Sequence, residues 1–205
     1  MAGTVTEGTE ETEVATPMTN DVAVVATDGM DFLFRQKVAS QYRVSGLYKS
    51  RLKFCIFLHF VLFLAMCTKV TEDILDRLDI FILELEELYI PKPLIWEWIW
   101  LSSFVFIFSG LKGIKRNKVT SVTTYAIGIF LFGVCPVIGA GIYYFKEMWH
   151  YVQTRDSTDI EKWQGYPIAL LWYVFLTLCF QVHIFSLYFA VRLIRTWKLK
   201  AKKSN

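Results

Sequence analysis

Charge is scarce in this sequence, and so are the residue patterns that mark a soluble enzyme or a nucleic-acid binder. Only 20% of the 205 residues are charged, against roughly 25% in an average soluble domain, and the formal net charge is +3. The chain has three histidines and no CxxC pair, so it lacks the ligand spacing of a metal site or a disulfide framework. We therefore expect no nucleic-acid partner, no metal and no cofactor.

The sequence is instead dominated by long apolar runs. Apolar residues make up 54% of the chain, and the mean hydropathy is +0.38. Four runs, at 54–68, 93–111, 121–145 and 167–191, contain a single charged residue, Glu97. Such runs are typical of transmembrane helices. The sequence predicts an all-α polytopic membrane protein with four transmembrane helices, and it argues against a soluble enzyme.

The predicted transmembrane domain covers 54–195, with spans at about 54–69, 93–111, 121–145 and 167–191. Residues 1–27 are rich in Thr and Glu and have no aromatic residue, which predicts a disordered tail. Residues 28–53 are basic and amphipathic, and they suit either an interfacial helix on an anionic leaflet or a solvated helix whose charges orient the first span. Residues 196–205 form a basic tail.

An acidic segment between the first two spans carries an apolar stripe. The stripe has the spacing of one helical face and consists of Ile74, Leu78, Ile82, Leu85 and Tyr89. Acidic residues occupy the other faces, so we expect a helix that lies against the membrane surface or the bundle and ends at Pro91. At the start of the second span, Trp96, Trp98 and Trp100 resemble an interfacial aromatic belt.

Basic residues predict the orientation in the membrane. Sixteen Lys and Arg lie before the first span, in the 112–120 loop and after the fourth span, whereas the other two loops hold six. The positive-inside bias therefore predicts that both termini are cytosolic. In that orientation Lys202 and Lys203 have the register of a dilysine signal for retrieval to the endoplasmic reticulum, read by the COPI coat. The alternative is a solvated basic tail.

Polar residues inside the predicted spans are the candidates for function. His59 and His183 lie toward the cytosolic ends of the first and fourth spans, where they can share a layer, and Gln181 lies beside His183. We expect these three to make contacts between helices. The alternative is a site in a small transporter or channel subunit. The two histidines lie too far from Glu97 to form an acid and base pair with it, so no catalytic residue is predicted.

Other residues in the spans have structural interpretations. Glu97 is expected to pair with Lys69 or Lys92 near the headgroups. The glycines of the third span are expected to permit close helix packing, and Pro136 a kink. All four cysteines lie in apolar runs, where they are expected to pack or to face lipid, while palmitoylation of Cys55 is a minor alternative.

Several short motifs resemble those of the Jagunal family of endoplasmic reticulum membrane proteins. They are Thr27-Asp28-Gly29-x-Asp31-Phe32 with Arg35 and Val38-Ala39, Trp96-Glu97, Arg116-Asn117, Gln181-Val182-His183 with Leu187-Tyr188 and Trp197, and the terminal dilysine. The resemblance implies a non-enzymatic, four-span protein of the endoplasmic reticulum membrane. It also implies roles in organising that organelle and in vesicle-mediated transport, including oocyte reticulum reorganisation and exocytosis.

Overall fold

The computed structural model describes residues 20–154 and 162–204. Most of the predicted tail 1–27 lies outside this part, as do the side chains of Lys202 and Lys203. Helices account for about 85% of the structure, which confirms the all-α class. The chain divides into two compact units, Met1–Tyr42 and Arg43–Asn205. In the first unit, residues 31–42 are helical and mostly exposed, and Arg35 forms an ion pair with Asp31.

The described chain contains eight α-helices, one π-helical segment and one short hairpin. In chain order they are α1 (Asn20–Arg77), α2 (Leu83–Glu86), α3 (Ile95–Ser102), α4 (Phe104–Arg116), α5 (Val119–Gly128), the π-helical segment (Ile129–Val134), α6 (Cys135–Tyr143), α7 (Phe145–Thr154), β1 (Lys162–Trp163), β2 (Tyr166–Pro167) and α8 (Ile168–Ser204).

Three helical segments in the described part of the chain are long and apolar enough to cross a bilayer. They are Asp31–Arg77, Val119–Tyr143 and Ile168–Lys198. The predicted span at 93–111 corresponds to α3 and α4, which have 8 and 13 residues and are separated at Ser103. Neither helix alone reaches the roughly 20 residues that a bilayer requires. Ser103 keeps helical dihedral angles, φ −59° and ψ −23°, and its N–H donates to the Trp100 carbonyl at 3.0 Å. The interruption is therefore one tightened turn.

The acidic segment is not the continuous helix that its apolar stripe predicts. Helix α1 ends at Arg77, and Asp79 adopts a left-handed conformation with φ of 55°. The Ile80 N–H then donates back to the Leu75 carbonyl at 3.0 Å, which closes the helix end in the manner of a Schellman motif. Only the four residues of α2 are helical in the following stretch. The prediction of one continuous helix was wrong because this C-cap ends the helix before Ile82.

The hairpin of β1 and β2 packs over the loop that precedes α3. Gln164 and Gly165 both have positive φ, 50° and 84°, which is the requirement of a two-residue type I′ turn. The Trp163 indole N–H donates to the Leu88 carbonyl at 2.9 Å. We call the end of the bundle that carries this hairpin the hairpin end, and the opposite end, where residues 45–52 meet residues 189–197, the tail end.

Two apolar clusters form the core of the bundle, one toward each end. The tail-end cluster contains Leu52, Ile56, Ile107, Ile114, Val122, Tyr125, Ile129, Ala190 and Leu193. The hairpin-end cluster contains Met66, Val70, Trp100, Val137, Ala140, Tyr144, Ala169, Leu176 and Cys179. Each cluster draws residues from α1, from α3 or α4, from the α5–α6 segment and from α8, so all four segments pack together along the length of the bundle.

At the tail end, α1 and α8 remain in contact beyond the apolar runs. The Trp197 indole N–H donates to Ser45 Oγ at 2.9 Å, and Lys49 Nζ lies 5.6 Å from the centre of the Trp197 ring. Leu52 is fully buried. Residues 45–52 therefore continue α1 and pack against α8, a contact that neither sequence interpretation of the basic segment included.

Glycines bring α4 and α5 close together. A Cβ on Gly113 would lie 2.7 Å from a Val122 methyl, and one on Gly128 would lie 2.2 Å from the Phe106 ring. The predicted packing role therefore applies to Gly128. It does not apply to Gly139 or Gly141, since a Cβ at either position would meet nothing within 4 Å.

Candidate functional site: a buried polar layer between the helices

A layer of polar side chains separates the two apolar clusters. Three segments contribute to it: His59 comes from α1, Trp100 and Ser103 from the junction of α3 and α4, and His183 from α8. His59 is 1% exposed, and the other three side chains are fully buried. Because an unpaired polar group costs free energy in an apolar interior, the arrangement of these four residues is constrained by their hydrogen bonds.

Two hydrogen bonds connect the helices through this layer. His59 Nε2 and Ser103 Oγ share a hydrogen bond of 3.0 Å, and the Trp100 indole N–H donates to His183 Nε2 at 3.0 Å. An indole nitrogen can only donate, so His183 Nε2 must be the acceptor. In the neutral imidazole the proton of His183 then resides on Nδ1, which assigns its tautomer from the hydrogen bond.

The two imidazole rings lie directly against each other. Their centres are 4.8 Å apart and their planes meet at 89°, so the edge of one ring faces the other. In the described part of the chain, neither His59 Nδ1 nor His183 Nδ1 has a hydrogen-bond partner, although both atoms are buried. A buried unsatisfied group costs about 1–3 kcal/mol, so the layer holds His59 and His183 in place at some expense of stability.

Gly133 supplies the space that His183 occupies. A Cβ at this position would lie 3.1 Å from His183 Nε2 and 3.2 Å from Cδ2. Gly133 belongs to the π-helical segment, which ends just before the turn that contains Pro136. Because proline has no N–H to donate to the carbonyl four residues earlier, it favours such a widened turn. Gly133 therefore permits close packing, as predicted, and the group that packs against it is the polar ring of His183.

The structure brings together two of the three predicted contact residues. His59 and His183 meet in the layer, whereas Gln181 is exposed. Residues two apart on an α-helix point about 200° away from each other, so Gln181 faces outward when His183 faces inward. Sequence reasoning missed Ser103 and placed Trp100 in an interfacial belt, but the Trp100 side chain is fully buried.

A second polar contact joins α1 to the start of α3. Lys69 Nζ lies 2.6 Å from Glu97 Oε2, which confirms the prediction that Glu97 pairs with Lys69 or Lys92. The other carboxylate oxygen, Oε1, accepts the Leu94 backbone N–H at 3.2 Å. Glu97 is fully buried, and the Lys69 ammonium also lies 5.2 Å from the centre of the Trp172 ring. Each carboxylate oxygen of Glu97 thus has a donor, the Lys69 ammonium at Oε2 and the Leu94 N–H at Oε1.

A third polar contact lies within the tail-end cluster. The hydroxyls of Tyr125 and Ser186 are 2.6 Å apart and both residues are buried, so α5 and α8 share a hydrogen bond. The sequence offered only a weak signal for this pair, since Tyr and Ser are common within apolar spans.

The chemistry that this layer can support is limited by access. A hydroxyl bonded to an imidazole is the contact from which hydrolases build an activated nucleophile. Ser103 is fully buried, however, and no described group orients His59 through its Nδ1. The described residues also contain no group of three or more His, Cys, Asp or Glu side chains that could hold a metal ion. The layer is best described as a set of hydrogen bonds that join helices.

The cysteines lie where the sequence predicted, either packed in the bundle or on an apolar helix surface. All four are free, with Cys55 and Cys179 buried in the bundle, Cys67 half-buried and Cys135 exposed on an apolar helix. Burial of Cys55 argues against its acylation in this conformation.

The helical architecture and three helical segments long and apolar enough to cross a bilayer are features typical of an α-helical membrane protein. Residues 18–201 match the family described as "Jagunal, ER re-organisation during oogenesis". The chain belongs to the Jagunal family, which confirms the resemblance found in the sequence.

Curated relatives extend across insects, nematodes and mammals. The chain is 48% identical over 182 residues to protein jagunal of Drosophila pseudoobscura pseudoobscura, an alignment that covers 86% of this chain and 92% of the relative. It is 31% identical over 189 residues to the jagunal homolog of Caenorhabditis elegans, covering 86% and 94%. It is 30% identical over 173 residues to jagunal homolog 1 of Homo sapiens, covering 83% and 88%.

Proposed function

We propose that this chain is a non-enzymatic protein of the endoplasmic reticulum membrane that organises the reticulum and supports vesicle-mediated transport. The observation that carries the proposal is the family match over residues 18–201, together with the family's description as acting in reorganisation of the endoplasmic reticulum during oogenesis. The buried layer supports it, because its hydrogen bonds serve helix packing and its serine is closed to substrate.

The proposal includes roles in the secretory pathway, namely oocyte reticulum reorganisation and exocytosis. It is tested by deleting the protein from a secretory cell line and restoring it under its own promoter. Reticulum morphology and the release of a secreted reporter are then measured in the same cells. Restored morphology with unrestored release would remove the transport part of the proposal, and failure to restore either would remove both.

The proposed topology has four spans with both termini in the cytosol. Helices α3 and α4 together supply the additional span, since the turn at Ser103 keeps helical dihedral angles between them. The distribution of basic residues supports the cytosolic placement of both termini. Glycosylation sequons inserted one at a time near residue 80 or 158 should be modified, and those near 15 or 117 should not. Modification near residue 15 would refute this orientation.

The proposed partner is the COPI coat, bound through Lys202 and Lys203. The support is the register of the two lysines relative to Asn205 and the cytosolic placement proposed for the tail. A pull-down of coat subunits by the last residues of the chain, compared with a peptide that has both lysines replaced by Ser, tests this contact directly.

A small transporter or channel subunit is the second candidate. It is favoured by one observation, the pair of buried imidazoles whose Nδ1 atoms have no partner in the described part of the chain. Purified protein in liposomes with a pH-sensitive dye inside would reveal proton movement. Flux that His183→Ala abolishes without loss of folding would favour this candidate, and flux equal to protein-free liposomes would reject proton transport.

A further inference from the structure

A pocket of about 170 Å³ lies between α1 and α8 at the hairpin end. Met66 and Ala65 of α1 form one wall, Leu171 and Phe175 of α8 form the other, and Pro91 and Trp163 form the roof. One water needs only about 10–15 Å³ of such space, so the pocket accommodates a group of several heavy atoms. Almost all of its lining is apolar, which is unfavourable for filling by water.

The walls of the pocket belong to the apolar runs of α1 and α8. Met66 belongs to the apolar run 54–68, and Phe175 belongs to the run 167–191. Leu171, which lines the pocket on α8, is itself 38% exposed. Exposed apolar side chains on membrane-spanning helices face lipid. The lipid-facing surface of the bundle is therefore continuous with the mouth of the pocket.

The one charged residue in the lining, Lys69, is already neutralised. Its ammonium is bonded to Glu97 at 2.6 Å and lies 5.2 Å from the centre of the Trp172 ring. It therefore offers no free positive charge to a phosphate or a carboxylate. What remains for recognition is the apolar surface of the walls and the aromatic faces of Trp163 and Phe175.

We propose that this pocket binds one alkyl chain of a membrane glycerophospholipid, inserted from the leaflet on the hairpin side. The alkyl chain lies between α1 and α8, and its terminal carbons contact Met66 and Phe175, the lining residues farther from the hairpin. The hydrogen bond from the Trp163 indole to the Leu88 carbonyl holds the roof in place, because it fastens the hairpin to the loop before α3. The lipid is thereby a bound structural component of the protein on that side of the membrane.

Photolabelling with a lipid whose alkyl chain carries a terminal diazirine tests the proposal. The full chain is purified into phosphatidylcholine nanodiscs that contain the probe, irradiated, and mapped by mass spectrometry. Met66 is only 1% exposed, whereas Phe57 on the same helix is 58% exposed. We expect strong labelling at Met66 and Phe175, because the pocket delivers the chain end to them. Labelling confined to exposed residues such as Phe57 would overturn the proposal.

Two variants and matched controls test the location. Ala65→Trp fills the pocket and should abolish labelling at Met66 and Phe175, whereas Leu64→Trp, on the exposed neighbour, should leave it unchanged. Trp163→Ala opens the roof and should reduce the labelling, whereas Tyr166→Ala, an exposed hairpin residue outside the lining, should not. Retained labelling in both Ala65→Trp and Trp163→Ala would overturn the proposal.

The chemical class of the occupant is tested separately. A headgroup-linked diazirine on the same phospholipid should not label Met66, and a sterol diazirine should not compete with the alkyl-chain probe. Labelling of Met66 by the headgroup probe, or displacement of the alkyl-chain probe by the sterol, would refute the assignment to a phospholipid chain.

Discussion

At the scale of single residues, the position of the His183 ring depends on the absence of a side chain at Gly133. The imidazole accepts the Trp100 indole N–H at a distance of 3.0 Å, and it can do so because position 133 has no side chain. The same imidazole packs edge to face on His59. A single methyl group at position 133 would therefore disturb contacts to both α1 and α3.

We predict that Gly133→Ala destabilises the bundle by about 1–3 kcal/mol, the usual cost of overpacking. The added Cβ would lie 3.1 Å from His183 Nε2, the atom that accepts the Trp100 hydrogen bond. The free energy of unfolding in mixed micelles, followed by circular dichroism, measures the effect. Gly139→Ala is the matched control on the same span, since its Cβ meets nothing within 4 Å. Equal stability of the two variants would contradict this account.

We also predict that the Trp100–His183 hydrogen bond itself contributes only modestly to helix packing, and that His183→Ala leaves the protein inserted. Hydrogen bonds between helices in bilayers average about 0.6 kcal/mol, with a maximum near 1.7. A double-mutant cycle with Trp100→Phe should give a coupling free energy in that range. Gln181→Ala is the control, because its side chain is exposed and should not affect stability. A coupling near zero would show that the Trp100–His183 contact contributes nothing.

At the scale of the elements, local chain geometry interrupts two of the predicted helices. Ser103 introduces one tightened turn between α3 and α4, and this turn carries the hydroxyl that bonds to His59. Asp79, in a left-handed conformation, ends the helical course of the acidic segment. The start of α3 is in turn fastened to α1 through Glu97, whose carboxylate binds both Lys69 and the Leu94 N–H.

We predict that Lys69→Ala destabilises the junction of α1 and α3 strongly, because it leaves the fully buried Glu97 carboxylate without its cation. Removing one partner of a buried ion pair costs about 3–5 kcal/mol. Thermal unfolding in detergent provides the measurement. Lys92→Ala removes the same charge at an exposed position and should have little effect. The additional substitution Glu97→Gln should recover part of the stability lost in Lys69→Ala, and a further loss would contradict the ion-pair account.

At the scale of the whole molecule, two apolar clusters and a polar layer run through one bundle, and the basic tail continues α8. The tail is the part of the molecule that the proposed coat partner would contact. The proposed localisation signal can be separated from the charge of the tail, because α8 carries further basic residues before Lys202.

We predict that replacing Lys202 and Lys203 by Ser allows the protein to leave the endoplasmic reticulum for the Golgi. Replacing Lys198 and Lys200 by Ser removes the same charge outside the motif and should leave localisation unchanged. Appending a few residues after Asn205 keeps every lysine but displaces the carboxylate, and it should act like the first variant. Fluorescence microscopy against compartment markers provides the readout. Retention of the first and third variants in the reticulum would show that the tail is only a solvated basic end.

The sequence by itself determined the class of the protein and restricted one polar contact to two candidate partners. Long apolar runs require helices that satisfy their own backbone hydrogen bonds in hydrocarbon, whatever their neighbours are. Glu97 is the one charged residue in those runs, so its partner was restricted to the nearby Lys69 or Lys92, and the structure selects Lys69.

Only the tertiary structure decided which side chains face the interior. In a membrane protein the lipid-facing and buried surfaces of a helix are both apolar, so the periodicity that separates them in a soluble protein is weak. The inward positions of Trp100 and Ser103, the outward position of Gln181 and the fit of His183 over Gly133 depend on how four segments pack. The apolar pocket between α1 and α8 likewise exists only where the hairpin and the loop before α3 meet those helices.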